Sequence, residues 1–282
     1  MLRNALNLPN GGECGDPRFV LELAERAETA GWDAVLLEDY ICYQGDPSAP
    51  TCDVWATLGA IAVRTSRVRL GTSVTPLPRR RPWKVAREAA AVDQLSGGRL
   101  ILGVGAGDVG DAFVRDASFT HFGEVVDLRQ RAEMLDEGLA IIAGLWSGQP
   151  FAFSGKHYCF DEVIFTPTPI QRPRIPIWVG GGYPKRGPMR RALRWDGASL
   201  YPVGQGDADL QPRDVERLRA DVGDREFDIV VGGHERNEDS NAERARRADV
   251  AAAGATWWAE WIRPTDRETM RRKVSAGPVV LE

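Results

Sequence analysis

The sequence predicts an α/β fold, a single (β/α)8 TIM barrel filling residues 1–282 with an insertion after the fourth strand. Three observations carry this. Short, nearly continuous apolar runs recur along the chain, as strands of a parallel sheet covered on both faces require. Amphipathic helices alternate with them. Eight such units in 282 residues favour a closed barrel over an open, doubly wound sheet.

Residues 2–8 form the first strand. Residues 16–31 follow as a helix: Asp16 is placed to cap it and Pro17 stands at its first position. Phe19, Val20, Leu23, Ala24, Ala27 and Ala30 share one stripe, and Gly31 is placed to end it. The run Asp33-Ala-Val-Leu-Leu-Glu-Asp39 is too short for a helix and apolar enough for a buried strand. Residues 68–74 (VRLGTSV) give the third strand and 82–95 its helix, opened by Pro82. Residues 100–104 (LILGV) give the fourth strand, after a Ser-Gly-Gly-Arg turn. Leu128, Ala132, Leu135, Leu139, Ile142 and Trp146 step by three and four and mark a long helix; residues 151–169 then read as an aromatic, hairpin-like insertion. The remaining strands fall at 175–179, 198–201, 227–231 and 255–262, with helices at 188–195 and 213–221. No linker or domain boundary interrupts them.

A composition of 43% hydrophobic and 27% charged residues is that of an ordinary soluble chain, and a net charge of −4 provides no global field for nucleic acid or an anionic membrane. No apolar run is long enough to span a bilayer, and the start, MLRNALNLPN, lacks the apolar core of a signal peptide, so a cytoplasmic location is expected. Cys14, Cys42, Cys52 and Cys159 show no metal or disulfide spacing and are expected to be free thiols. His121, His157 and His234 show no metal-ligand spacing either, which argues against a metal-dependent hydrolase.

In such barrels the chemistry sits on the loops after strand C-termini: here 7–14, 38–53, 73–81, 105–122, 180–186, 201–206, 232–235 and 260–264. Gly105-Ala-Gly107-Asp-Val-Gly110 spells a dinucleotide fingerprint, but no helix opens there, and a tight turn letting a planar ring approach the backbone is the better reading. Gly180-Gly181-Gly182, followed by Lys185 and Arg186, has the composition of either a backbone-amide nest for a phosphate or a plain turn. Arg79-Arg80-Arg81 reads first as a solvated face. His234 is placed to act as an acid or base or to be merely hydrogen-bonded, and Glu38, Asp39, Asp108 and Glu260 are carboxylates near strand ends. The aromatics Tyr40, Tyr43, Trp55, Tyr201 and Trp258 suit a dry pocket for a flat heterocycle; period two separates Trp258 and Glu260 from Trp257 and Trp261 without saying which pair is interior.

Three ordered blocks, Arg69-Leu-Gly-Thr-Ser-Val-Thr-Pro76, residues 82–87 with Asp93-Gln-Leu-Ser-Gly-Gly-Arg-Leu100, and Leu102-Gly-Val-Gly-Ala-Gly-Asp108, together with Ile175-Pro-Ile-Trp-Val-Gly-Gly-Gly182, resemble the signature blocks of the luciferase-like monooxygenase family. The resemblance implies a barrel that binds reduced FMN or, in one branch, a deazaflavin coenzyme over its strand ends. It places Asp39, Thr72, Ser73, Val74, Gly105 and Gly107 around the ring and Gly180, Gly181 and Gly182 at the phosphate, with a non-proline cis peptide at Ser73-Val74. Asp108 resembles the proton donor of the deazaflavin branch, whereas Tyr40 stands where that branch has histidine. The leading expectation is therefore a reduced-FMN monooxygenase acting on a small organic molecule and fed by a separate flavin reductase, with Asp108, Tyr40 and His234 catalytic and Tyr43, Trp55, Tyr201 and Trp258 lining the substrate pocket. The alternatives are a deazaflavin-dependent hydride-transfer oxidoreductase and a non-catalytic flavin-binding barrel. The resemblance also implies a homodimer.

Overall fold

The computed structural model of the chain describes residues 2–109, 116–203 and 209–281. In chain order its strands are β1 (Arg3–Leu8), β2 (Ala34–Leu37), β3 (Arg69–Thr72), β4 (Thr75–Pro76), β5 (Leu100–Gly105), β6 (Phe151–Ser154), β7 (Cys159–Val163), β8 (Ile177–Tyr183), β9 (Gly197–Pro202), β10 (Asp228–His234) and β11 (Trp257–Trp261). The helices are α1 (Pro17–Ala30), α2 (Val54–Arg64), α3 (Pro82–Ser96), α4 (Ser118–His121), α5 (Leu128–Trp146), α6 (Arg186–Ala192), α7 (Pro212–Val222), α8 (Ser240–Ala252) and α9 (Arg267–Ser275). All strands but β6 and β7 pair in parallel in the order β3-β2-β1-β11-β10-β9-β8-β5-β4, and β3 also pairs with β5. That last pairing closes the sheet into an eight-stranded barrel, β4 being the continuation of β3.

The local signals act as the sequence implies. The Asp16 side chain accepts from the Arg18 N–H at 3.0 Å, Pro17 opens α1, and Gly31 ends it in the left-handed region at φ 91°. Asp127 caps α5 in the same way through the Gln130 N–H at 2.7 Å. Strand alternation then sorts two cores. Ala5, Ala34, Leu36, Ile101, Trp178, Val230, Trp257 and Ala259 fill the barrel. Their neighbours Leu6, Leu8, Val35, Leu37, Leu100, Leu102, Val179 and Trp258 join the larger core between strands and helices. The N-terminal end of the barrel is plugged by Trp178 and Trp257, edge to face at 5.3 Å, with the Arg3 guanidinium 4.2 Å over Trp257.

The insertion after the fourth barrel strand is the antiparallel hairpin β6–β7. Phe151 packs over Gly144 of α5, Trp83 of α3 meets Tyr158 and Phe160 edge-on, and Glu137 accepts the N–H groups of Lys156, His157 and Tyr158. The hairpin is thus fastened to the helical layer rather than laid over the barrel mouth as a lid. Among the described residues no helix is long and apolar enough to cross a membrane.

Candidate active site

One wall of the mouth is built from β4, β5 and β8. The peptide Ser73-Val74 is cis, as the family resemblance implies, and it separates β3 from β4. The Thr72 hydroxyl donates to the Gly103 carbonyl at 2.6 Å and holds this corner. The two methyl groups of Val74 lie over Gly105 and Gly180: a Cβ on Gly105 would stand 2.8 Å from one, and a Cβ on Gly180 3.0 Å from the other. Only glycine at both positions lets Val74 sit in this place. The result is an apolar platform, the kind of surface on which a planar ring rests.

Beyond β5 the chain turns at Gly107, whose φ of +77° and close approach to the Phe119 ring demand glycine. Arg131 donates to the carbonyls of Ala106 and Gly107 and so fixes the turn that carries Asp108. The first helix described after this turn is α4 at Ser118–His121. Gly110, part of the dinucleotide-like motif, and the loop residues 110–115 and 204–208 lie outside the described residues.

The three glycines after the fifth barrel strand are a correction. They do not turn: Gly180, Gly181 and Gly182 are extended residues of β8, paired with Ser199, Leu200 and Tyr201 of β9. Trp178 faces the barrel interior, so Gly180 and Gly182 share its face; Gly181 faces outward, where a Cβ would meet Pro188 of α6 at 2.6 Å. Gly181 is there for strand-to-helix packing.

Below the mouth lies a dry ionic network. The Asp39 carboxylate accepts from Arg80 at 2.6 Å, Arg79 at 3.3 Å and the Thr75 hydroxyl at 2.9 Å, and Arg79 also bonds Asp116 at 3.0 Å. Burial pushes the Asp116 carboxyl up despite Arg79, while the charge of Asp39 lifts Arg80 above its ordinary value against the burial that lowers it. Asp39 therefore has both oxygens committed to holding the loop. Arg79 and Arg80, expected on a solvated face, are structural cations, Arg79 buried and Arg80 partly so.

The loop after β2 carries the aromatic side. Asn10 clamps it, donating to the Tyr40 and Cys52 carbonyls at 2.8 and 3.0 Å and accepting the Tyr40 N–H at 3.1 Å. Tyr40 and Tyr43 meet edge to face at 5.3 Å. Burial, then the negative charges of Glu38, Asp116 and Asp108, push the Tyr40 phenol well above its ordinary value, which keeps it protonated at neutral pH. Trp55, expected on this loop, is in the first turn of α2 and 4% exposed.

Glu38 is the residue that the sequence reading undervalued. It lies two positions beyond Leu36, a barrel-interior residue, and so points into the mouth. Burial pushes its carboxyl up to about 7, against the opposing pull of the Trp261 indole N–H and the Tyr43 hydroxyl that face it. Alternation counted from Leu36 would have found it.

Around β9 to β11 the expected residues divide. Tyr201 stands half exposed at the end of β9. His234 ends β10, its Nδ1 bonded to the buried carboxylate of Asp209, which also pairs with Arg246. Trp258 is a correction: it lies on the outer face of β11, with the guanidinium of Arg247 4.8 Å and that of Arg246 5.2 Å from its ring, and it does not line the mouth. Glu260 shares that outer face in bonds to Arg236 and Arg247 at 3.0 and 2.6 Å. The interior face belongs to Trp257, Ala259 and Trp261.

The mouth thus sets an apolar platform on one side and a protonatable carboxyl with hydrogen-bond donors on the other, an arrangement suited to a flat redox cofactor working on a small molecule whose proton must move. Comparison with known proteins agrees. An F420-dependent glucose-6-phosphate dehydrogenase from Gordonia bronchialis is 33% identical over 222 residues, covering 76% of this chain and 62% of its own length. Among solved structures, a coenzyme F420 dependent tetrahydromethanopterin reductase from Methanopyrus kandleri superposes with a TM-score of 0.72 at 17% identity over 97% of both chains. A monooxygenase from Streptomyces bottropensis does so with 0.71 at 22% identity, over 97% of this chain and 96% of its own. Both show the same fold. The luciferase-like monooxygenase model matches residues 3–274, and with the barrel, the Ser73-Val74 cis peptide and the glycine-backed platform in place, the chain belongs to that family of flavin- and deazaflavin-dependent oxidoreductases.

Proposed function

We propose that this enzyme is a hydride-transferring oxidoreductase that uses the deazaflavin coenzyme F420, in preference to the reduced-FMN monooxygenase that leads from the sequence alone. The observation that carries this reading is the 33% identity to a relative named for F420 over three-quarters of the chain. The cofactor part of that name is carried over. The sugar phosphate is not, because the chain spans 62% of that relative's length.

The residues present fit such a group. Val74, backed by Gly105 and Gly180, offers the platform for a tricyclic ring, and Gly107 lets the backbone approach it. When bound, a deazaflavin supplies or accepts a hydride. The protein's part is orientation and proton handling. Tyr40 donates a hydrogen bond from a phenol that stays protonated, and Asp108 sits on a turn fixed by Arg131 at the rim. The network of Asp39, Arg79, Arg80 and Asp116 holds the loop from which Glu38 and Tyr40 project.

Tyr40 in place of the deazaflavin branch's histidine favours the second reading, reduced FMN with a separate reductase. Anaerobic titration of the apoprotein with F420 and with reduced FMN decides between them. Binding of F420 at least tenfold tighter supports the proposal; preference for reduced FMN, with a transient oxygenated spectrum on admitting air, overturns it.

A further inference from the structure

Across the mouth from the platform, three adjacent barrel strands end in inward-facing polar side chains. Asn7 of β1 pairs in register with Trp261 of β11 on one side and with Leu36 of β2 on the other. Ala5, Leu36 and Ala259 all fill the barrel, so Asn7, Glu38 and Trp261, each two positions further along its own strand direction, point to the same interior at its open end. Tyr43 reaches in from the loop after β2. Four polar atoms of this arc, Asn7 Oδ1, Glu38 Oε2, Tyr43 Oη and Trp261 Nε1, are buried without a hydrogen bond of ordinary geometry, while the Tyr43 hydroxyl and the Trp261 indole N–H face Glu38 closely enough to oppose the rise of its carboxyl. Gathered on neighbouring elements at the open end of the barrel, they form a cluster of under-satisfied polar groups.

The set has a definite chemistry. Trp261 can only donate, Asn7 Oδ1 can only accept, Tyr43 can do both, and Glu38 accepts when ionised and donates when protonated. Among the described residues Glu38 makes no ion pair, since the nearby cations Arg79 and Arg80 are bound to Asp39 and Asp116. Among the described residues, the titratable groups that feel the charge of Glu38 are the phenols of Tyr40 and Tyr43 and the Cys14 thiol. Each is pushed up by burial first and also by the charge of Glu38, so all are neutral at pH 7. Nothing in the arc offers a counter-charge to an anion.

We propose that Asn7, Glu38, Tyr43 and Trp261 form the substrate subsite, admitting an uncharged hydroxyl or carbonyl group and excluding a carboxylate or phosphate, with Glu38 as the group that exchanges the substrate's proton. Trp261 and Tyr43 donate to the substrate oxygen, the single O–H of a hydroxyl donates to Glu38, and Asn7 Oδ1 is an acceptor for a second donor on the substrate. In the oxidative direction the substrate's O–H bond breaks and its proton passes to Glu38 Oε2. The adjacent C–H bond breaks with its hydride passing to the oxidised deazaflavin, and the C=O bond is completed. The substrate loses the two electrons that the deazaflavin gains. The proton step rests on the function proposed above; the recognition step does not.

The test uses a matched pair of probes, cyclohexanol and cyclohexanecarboxylate. Their affinities are measured by ligand-observed NMR at pH 8 on the full chain, with F420 absent and present, for the wild type, Glu38→Gln, Tyr43→Phe and Trp261→Phe. The wild type should bind the alcohol at least about tenfold tighter than the carboxylate, Trp261→Phe and Tyr43→Phe should each weaken the alcohol by about five- to tenfold, and Glu38→Gln should remove most of the discrimination. A carboxyl 13C titration should show one glutamate midpoint near 7 that Glu38→Gln removes. Equal affinity for the two probes, no binding of either, or alcohol affinity unchanged in the variants would overturn the subsite, leaving the four groups as ones that water satisfies. F420 affinity is read separately in the same samples, so failure of the cofactor assignment is told apart from failure of the subsite.

Discussion

The Arg79 guanidinium and the Asp39 carboxylate form an ion pair beneath the barrel mouth with side chains 1% and 2% exposed, and Arg79 joins Asp116, 3% exposed, to the same network. Removing one member of a buried pair leaves an uncompensated charge and costs about 3 to 5 kcal/mol. Arg79→Met should therefore lower unfolding stability by about 3 kcal/mol in urea titration, since Arg80 still serves Asp39 whereas Asp116 keeps only its bonds from Ser118 and loses its counter-charge. A loss below about 0.5 kcal/mol, the scale of an exposed pair, would show that the network is wet.

The Val74 platform depends on two glycines. Gly105→Ala places a Cβ 2.8 Å from a stiff, branched side chain and should displace it, weakening cofactor binding by about tenfold or more at little change in helical content. Gly59→Ala in α2, where a Cβ meets nothing within 4 Å, is the matched control and should leave cofactor affinity unchanged. If both variants bind cofactor equally, the platform is not where the ring rests.

Tyr40→Phe removes a hydroxyl held in its protonated form and keeps the ring against Tyr43. Turnover should fall by about tenfold while cofactor affinity stays within about twofold, the pattern of a lost transition-state hydrogen bond. An unchanged rate would leave Tyr40 a packing role. Asp108→Ala is expected to act likewise, with single-turnover rates as the readout.

Glu38 links the site to stability. Its carboxyl is raised from an ordinary 4.5 to about 7 in the folded chain. Between those values the unfolded state has lost the proton that the folded state keeps, so stability falls as pH rises through the window and levels off above it. Glu38→Gln cannot ionise. The variant should match the wild type near pH 4 and exceed it above pH 7.5 by about 2 kcal/mol, discounted from the full shift because the residue is only half-buried. A pH-independent difference would show that Glu38 is solvated.

Much of the fold was legible because its signals are local. Apolar strands, the Asp16, Pro17 and Gly31 punctuation of α1, and the stepping of α5 all lie within a few residues of one another. Four helices were not, one of them the single turn α4. α2 is apolar on nearly every side, so it shows no period, while α8 buries Glu243 and Arg247 together with Val250, and α9 buries only Met270 and Val274. In α8 the ion pairs of Arg247 with Glu243 and Glu260 take the place of an apolar stripe. The site was legible as a set of loops but not as a set of faces. Period two named the alternatives on β11, yet only the register with β1 shows that Trp261 faces inward and Trp258 outward. The same register exposes Asn7 and Glu38, and the extended course of Gly180 to Gly182 could not be read from glycines that serve turns equally well.

The most direct measurement is the anaerobic titration of the apoprotein with F420 and with reduced FMN, followed by mixing with air. Saturable binding of F420 at least tenfold tighter than reduced FMN, lost in Gly105→Ala and unaccompanied by any oxygenated spectrum, is the expected result. Tight binding of reduced FMN with a transient oxygenated species, and no binding of F420, would contradict it and return the chain to the monooxygenases.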